Sequence, residues 1–364
     1  MLNSGGTHKP FGPLRGARPK PVAVSHEKLV TTGVLPETGL PLLVRPAVEG
    51  VNLRAWAAGN RPLLEAALAE RGAILFRGFK VETAEHFEQF VRSVSDELLE
   101  YGERSSPRTS LGGRVYTSTD HPAEQPIFLH NEQSYTLNWP MKICFYCAQP
   151  ARQGGRTPIA DSRAVYRRLD PALVSKFERK GVLYVRNYGD GLGLPWREVF
   201  GTGERAEVEE RCRRASIECA WKAGDRLQTR QVRPAVRRHP RTDEPVWFNH
   251  ATFFHVSSLE AAAREAILAV VGEQDVPFNT FYGDGSPIEP PVLDELREAY
   301  RQESSSFAWR EHDILLLDNM LTAHGREPFV GPRKIAVAMA DPFASAAAAQ
   351  PARHDAAHDN SPRP

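Results

Sequence analysis

Cysteine is scarce in this chain, with 4 in 364 residues, so Cys144, Cys147, Cys212 and Cys219 cannot build the dense disulfide framework of a small secreted scaffold. They read as reduced thiols. An excess of one charge is missing as well: 46 basic residues meet 45 acidic ones for a formal charge of +1, which removes nucleic acid and acidic membranes as general electrostatic partners. No stretch approaches the ~20 apolar residues needed to span a bilayer, and Met1-Leu2-Asn3-Ser4-Gly5-Gly6 lacks the apolar core of a secretion signal. A cytoplasmic protein is the expectation. What is present is length and a 41% hydrophobic fraction, enough for one large core.

Residues 1–30 are rich in Gly, Pro, Lys and Arg without periodicity, and residues 344–364 carry Ala, Pro, His and Asp without large apolar groups. Both ends are expected to be disordered tails around a domain at 31–343. Helical spacing occurs over 60–69, from Thr83 to Val94, from Ser162 to Lys180, from Ser257 to Val271 and over 291–301. Residues 72–79, 141–148 and 181–188 read as strands, and Ile314-Leu315-Leu316-Leu317 as a buried one. The stretch Arg226 to Arg241 gathers Arg230, Arg233, Arg237, Arg238 and Arg241 around two prolines. It reads as a solvated loop, with a patch for an acidic carrier protein as the other reading.

Chemistry concentrates in two places, Phe128-Leu129-His130-Asn131-Glu132 and Asp318-Asn319-Met320-Leu321-Thr322-Ala323-His324-Gly325-Arg326. His130 and Glu132 are two apart in a segment that looks like strand, so a period of two puts both side chains on one face. A metal there needs a second histidine from elsewhere, and His324 follows the buried strand. Two imidazoles and one carboxylate on one octahedral face leave adjacent positions open, the arrangement of Fe(II) oxygenases.

A zinc deaminase site is the rival, because it too pairs H-x-E with C-x-x-C, here Cys144-Phe145-Tyr146-Cys147. Context argues against it: no proline immediately precedes Cys144, and cysteines three apart on a strand face opposite sides. A noncatalytic binding barrel is the remaining alternative.

Around these positions the chain resembles the taurine dioxygenase/clavaminate synthase-like family of Fe(II)/2-oxoglutarate-dependent oxygenases. The resemblance runs over about residues 70–342, through Tyr116-Thr117-Ser118-Thr119, Leu129 to Tyr135, Gly154 to Ser162, Ala323 to Arg326 and Gly331-Pro332-Arg333-Lys334. It implies a mainly β fold with flanking helices, a double-stranded β-helix (jelly roll) with helical insertions, the largest roughly at 190–300. It implies His130, Glu132 and His324 as metal ligands, with glutamate where many relatives carry aspartate. Thr157 and Arg333 fall on the residues that hold 2-oxoglutarate. For Arg333 the residue type agrees, since a planar guanidinium grips a carboxylate with two parallel hydrogen bonds. Arg326 is the competing arginine.

The resemblance further implies Fe(II), 2-oxoglutarate and O2 as the reacting set, with succinate and CO2 released. Halogenating relatives lack the carboxylate ligand, so Glu132 points to hydroxylation, with desaturation or ring closure as the alternatives. Relatives in peptide natural-product pathways act on amino acids, sometimes tethered to a carrier protein, and a small-molecule substrate of that type is expected here. Candidate substrate residues are Arg108, Asn131, Asn249 and His250. The substrate itself and the oligomeric state, a homo-oligomer included, are not given by the residues.

Overall fold

The computed structural model describes residues 29–35, 39–100, 109–118, 121–189 and 193–345. The two expected tails therefore lie almost wholly outside the described residues, and so does Arg108. Two facing sheets organise the rest. The larger has eight strands in the order Val30–Val34, Leu42–Pro46, Ala73–Phe76, Ile314–Asp318, Asn138–Gln149, Lys334–Ala344, Val115–Thr117 and Ser110–Gly112. Only the second and third of these pair in parallel. The smaller runs Ser304–Phe307, Thr157–Asp161, Thr322–Arg326, Ile127–His130. Together they form the jelly roll.

Side-chain alternation decides which residues fill the space between the sheets. From the long strand Asn138–Gln149, Ile143, Phe145 and Cys147 point inward, meeting Leu315, Leu317 and Val337 of the same sheet and Ile159, Phe307 and Trp309 from the other side. The intervening Cys144 and Tyr146 point outward into a second cluster with Phe76, Phe87 and Phe90. Cys144 and Cys147 thus sit on opposite faces, as their spacing requires.

Three helices, Leu53–Gly59, Arg61–Arg71 and Ala84–Val94, cover the outer face of the large sheet. The third begins where the Thr83 hydroxyl accepts from the His86 N–H, and it buries Phe87, Phe90, Val91 and Val94 at helical spacing. Truncating fully buried Phe87 to alanine would cost about 3–5 kcal/mol.

A separate four-stranded sheet, in the order Glu218–Lys222, Arg226–Arg233, Val182–Tyr188 and Phe278–Tyr282, occupies the region expected as an insertion. It overturns the solvated-loop reading of the arginine-rich stretch. Arg226–Arg233 is a central strand, and Val236–Arg238 pairs with Pro245–Trp247. Alternation buries Arg233, which donates to the Ala215 carbonyl and to Gln231 Oε1, while Arg238 and Arg241 pair with Asp243 and Glu65. Two helix boundaries also move. Residues 162–180 form two helices, Ser162–Arg168 and Pro171–Lys180, because Pro171 cannot continue the first and Asp170 caps the second. The helix expected from Ser257 starts at Ala261, where Glu260 accepts from two backbone N–H groups, after a short 3-10 turn at Val256–Ser258.

Candidate metal centre and cosubstrate site

His130 closes the strand Ile127–His130 and is the direct cross-strand partner of His324 on Thr322–Arg326. Pairing of those strands therefore brings two imidazoles that are far apart in the chain to ring centroids 4.6 Å apart.

 Register, not nearness in sequence, joins the two rings. Gly325 makes the pairing possible: a Cβ there would lie 2.6 Å from the Ile127 carbonyl oxygen, at the point where the register shifts between His324 and Arg326.

Glu132 reaches the same place by a different route than period-two spacing predicts. The strand ends at His130, and Glu132 sits in the turn that follows, next to Gln133 with φ of 56°. Asn319 brings the carboxylate back. Its Oδ1 accepts from the Glu132 N–H at 2.8 Å, and its Nδ2 donates to the Glu132 and Pro140 carbonyls at 2.9 and 2.8 Å. The ligand atoms of His130, Glu132 and His324 all lie within 4.8 Å of one another.

This donor set fits a single divalent ion. His130 Nδ1 is 2.8 Å from the Phe128 carbonyl oxygen, which can only accept, so Nδ1 carries the proton and Nε2 is the nitrogen with a lone pair that a metal could use. Aromatic rings wall the centre: Phe145 lies 5.1 Å from the His324 ring, and Phe253 and His250 lie 4.5 and 5.6 Å from the His130 ring. Burial, and then the neighbouring His130, push His250 well below the usual histidine range, so it is neutral. His250 Nδ1 shares a 2.6 Å hydrogen bond with Ser134 Oγ.

Thr157 opens the strand Thr157–Asp161 and is buried, with its hydroxyl oxygen accepting from the Trp309 indole N–H at 3.0 Å. Arg333 Nε donates to the Gly155 carbonyl at 3.0 Å, two residues before Thr157. Gly155 has φ of 65°, and a Cβ there would meet Arg333 Cδ at 3.1 Å, so glycine both makes the turn and admits the arginine. Burial, followed by the charge of Arg326, lowers Arg333 to about 10, which leaves it cationic at neutral pH. Arg326 is committed elsewhere: it donates to the carbonyls of His121, Pro122 and Gln125 at 3.0, 2.5 and 2.7 Å.

Two candidate substrate residues are corrected. Asn131 is fully buried and donates to Ser162 Oγ and the Asn319 carbonyl, and Asn249 is spent on the Ala235 carbonyl and the Ala251 N–H. Both brace backbone. His250 keeps its place beside the centre. Sequence reasoning missed Asn319 and Trp309; the one available signal was the polar pair Asp318-Asn319 directly after the apolar run Ile314-Leu315-Leu316-Leu317.

A jelly roll with two histidines and one carboxylate converging at one end defines a mononuclear non-haem metal enzyme. The chain belongs to the taurine catabolism dioxygenase TauD, TfdA family, whose sequence profile matches residues 38–339. It is a non-haem iron dioxygenase that uses Fe(II), 2-oxoglutarate and O2. It is 40% identical over 284 residues to the dapdiamide synthesis protein DdaC of Enterobacter agglomerans, covering 78% of this chain and 86% of the relative. A clavaminate synthase-like protein of Arabidopsis thaliana is 30% identical over 282 residues, covering 75% and 82%. Among solved structures, PvcB of Pseudomonas aeruginosa superposes with a TM-score of 0.53 at 18% identity, covering 88% of this chain and 94% of that one, a likeness of fold.

Proposed function

We propose that His130, Glu132 and His324 hold the Fe(II), that Thr157 and Arg333 grip the distal carboxylate of 2-oxoglutarate, and that the enzyme hydroxylates an unactivated C–H of an amino acid or amino-acid-derived compound in natural-product biosynthesis. The observation that carries the metal assignment is the convergence of three ligand atoms within 4.8 Å on paired strands and one braced turn. For the cosubstrate, Arg333 uses its Nε on the Gly155 carbonyl, whereas Arg326 spends both terminal nitrogens on loop carbonyls, and the Arg333 charge survives burial. Bound iron, 2-oxoglutarate and O2 supply the oxidising power, with succinate and CO2 as coproducts.

The chain's own part is placement. Phe145 and Phe253 keep water from the ligand side chains, and neutral His250 offers a hydrogen-bonding group beside His130 without adding charge. The amino-acid class of substrate is supported by the 40% identity to a dapdiamide synthesis protein. The basic stretch from Arg226 to Arg241 lends no support to a carrier-tethered form, because Arg233 is buried and Arg238 and Arg241 are paired within the chain.

The test is an anaerobic titration with Fe(II), 2-oxoglutarate and a panel of free and carrier-bound amino acids, followed by O2 and a measurement of succinate. At least one member should stimulate succinate release; no stimulation across the panel refutes the substrate class. His130→Ala and His324→Ala should each abolish binding of stoichiometric iron, and full occupancy in either removes that ligand.

A further inference from the structure

We infer that Trp309 is a positioning residue for cosubstrate binding: its indole N–H occupies one lone pair of the Thr157 hydroxyl and so aims the hydroxyl proton at the carboxylate of the bound oxoacid. The inference rests on the reading that Thr157 contacts 2-oxoglutarate.

An indole N–H can only donate. At 3.0 Å from Trp309 Nε1, Thr157 Oγ1 is therefore the acceptor of that bond, and its own proton must go to a second acceptor. Among the described residues no other side-chain hydrogen bond of Thr157 occurs. Thr157 is 4% exposed and Trp309 8%, so bulk water does not reach that proton freely. A buried hydroxyl with an unspent donor is costly unless a ligand supplies the acceptor, and a carboxylate supplies a strong one.

Trp309 itself is well held. Its ring stands edge-on to Phe307 with centroids 4.9 Å apart, and Phe307 is the cross-strand partner of Thr157. Both aromatics belong to the core between the two sheets. The β-branched Thr157 side chain is stiff at χ1, so fixing the oxygen's partner fixes the direction in which its proton can point.

The test is a double-mutant cycle of Trp309→Phe and Thr157→Val, read by calorimetric binding of N-oxalylglycine, a non-reacting 2-oxoglutarate analogue, to the Mn(II)-loaded enzyme. Thr157→Val should weaken binding by about tenfold, the size of one good hydrogen bond, and Trp309→Phe by several-fold. In the Thr157→Val background Trp309→Phe should add nothing. Steady-state kinetics should agree, with the KM for 2-oxoglutarate raised, and kcat and the KM for the substrate kept. Additive losses in the cycle would mean that Trp309 acts by packing alone, and an unchanged affinity in Trp309→Phe would overturn the inference while leaving the Thr157 reading intact. An unchanged affinity in Thr157→Val would overturn both. If the phenyl variant does not fold, Trp309→Met, flexible enough to refill the slot, takes its place in the same cycle.

Discussion

Replacing Asn319 by alanine should damage stability and iron binding together, because one amide holds the Glu132 turn from both sides. The substitution removes the acceptor of the Glu132 N–H and the donor to the Glu132 and Pro140 carbonyls. Asn319 is fully buried, so water does not replace what is lost. At about 1 kcal/mol net for each of three hydrogen bonds, the loss is about 3 kcal/mol, with a further contribution from the small cavity. For a domain of about 300 residues the unfolding entropy near 60 °C is about 0.6 kcal/mol per degree, so scanning calorimetry should find the midpoint lower by about 5 °C. The turn should also hold its carboxylate less well, and iron affinity should fall by about tenfold or more, as it does when groups that orient metal ligands are removed. Asn319→Asp sharpens the test, since it keeps an acceptor for the N–H but sets a carboxylate against two carbonyl oxygens, and it should be at least as harmful as alanine. A midpoint shift below about 1 °C with unchanged iron affinity would refute the claim that Asn319 braces the ligand turn.

Arg333→Ala should raise the KM for 2-oxoglutarate by about ten- to a hundredfold, whereas Arg326→Ala should lower the melting temperature and leave that KM nearly unchanged; the reverse ranking moves the carboxylate clamp to Arg326. His255 is held down to about 4, from an ordinary 6.5, by burial first and then by Arg297 and Arg264, so the unfolded chain takes up the proton before the folded one. Its contribution to stability is present above about pH 6.5 and is lost as the pH falls from there toward 4. His255→Asn should flatten that part of the stability curve measured by urea denaturation, and an unchanged slope would refute the assignment.

Much of the site was legible because its chemistry is carried by residue types that have few substitutes. His130, Glu132 and His324 stood out as two imidazoles and a carboxylate, and Arg333 as the group suited to a dianionic oxoacid. Thr83 and Ser162 marked helix starts that the structure keeps. The rest depended on register. Nothing in the local pattern says that Glu132 leaves the strand, since the turn is held by Asn319, which lies 187 residues away. The arginines of 226–241 looked solvated because charge usually is, yet a central strand buries every second side chain and leaves Arg233 bonding backbone carbonyls. Asn131 and Asn249 looked like substrate ligands because exposed and buried amides are identical in sequence; only the fold shows both buried, with the Asn131 Nδ2 and both ends of the Asn249 amide bonded within the chain.

The parts of the site differ in what holds them, and that difference bears on how specificity can vary. His324 and Thr157 lie on neighbouring strands of the small sheet, and Trp309 follows its edge strand, so these three side chains share one rigid support. His250 and Phe253 come instead from a segment after the Pro245–Trp247 strand, tied to the inserted sheet where the Tyr184 hydroxyl accepts the His250 N–H at 2.9 Å and Thr280 donates to the Ala251 carbonyl at 2.6 Å. Substitutions in the inserted sheet can therefore move the wall formed by His250 and Phe253, and they reach the ligand strands only through the Ser134–His250 bond and the ring contacts with His130. On that reasoning the wall, and not the metal centre, is where this chain and its relatives should diverge in the compounds they accept.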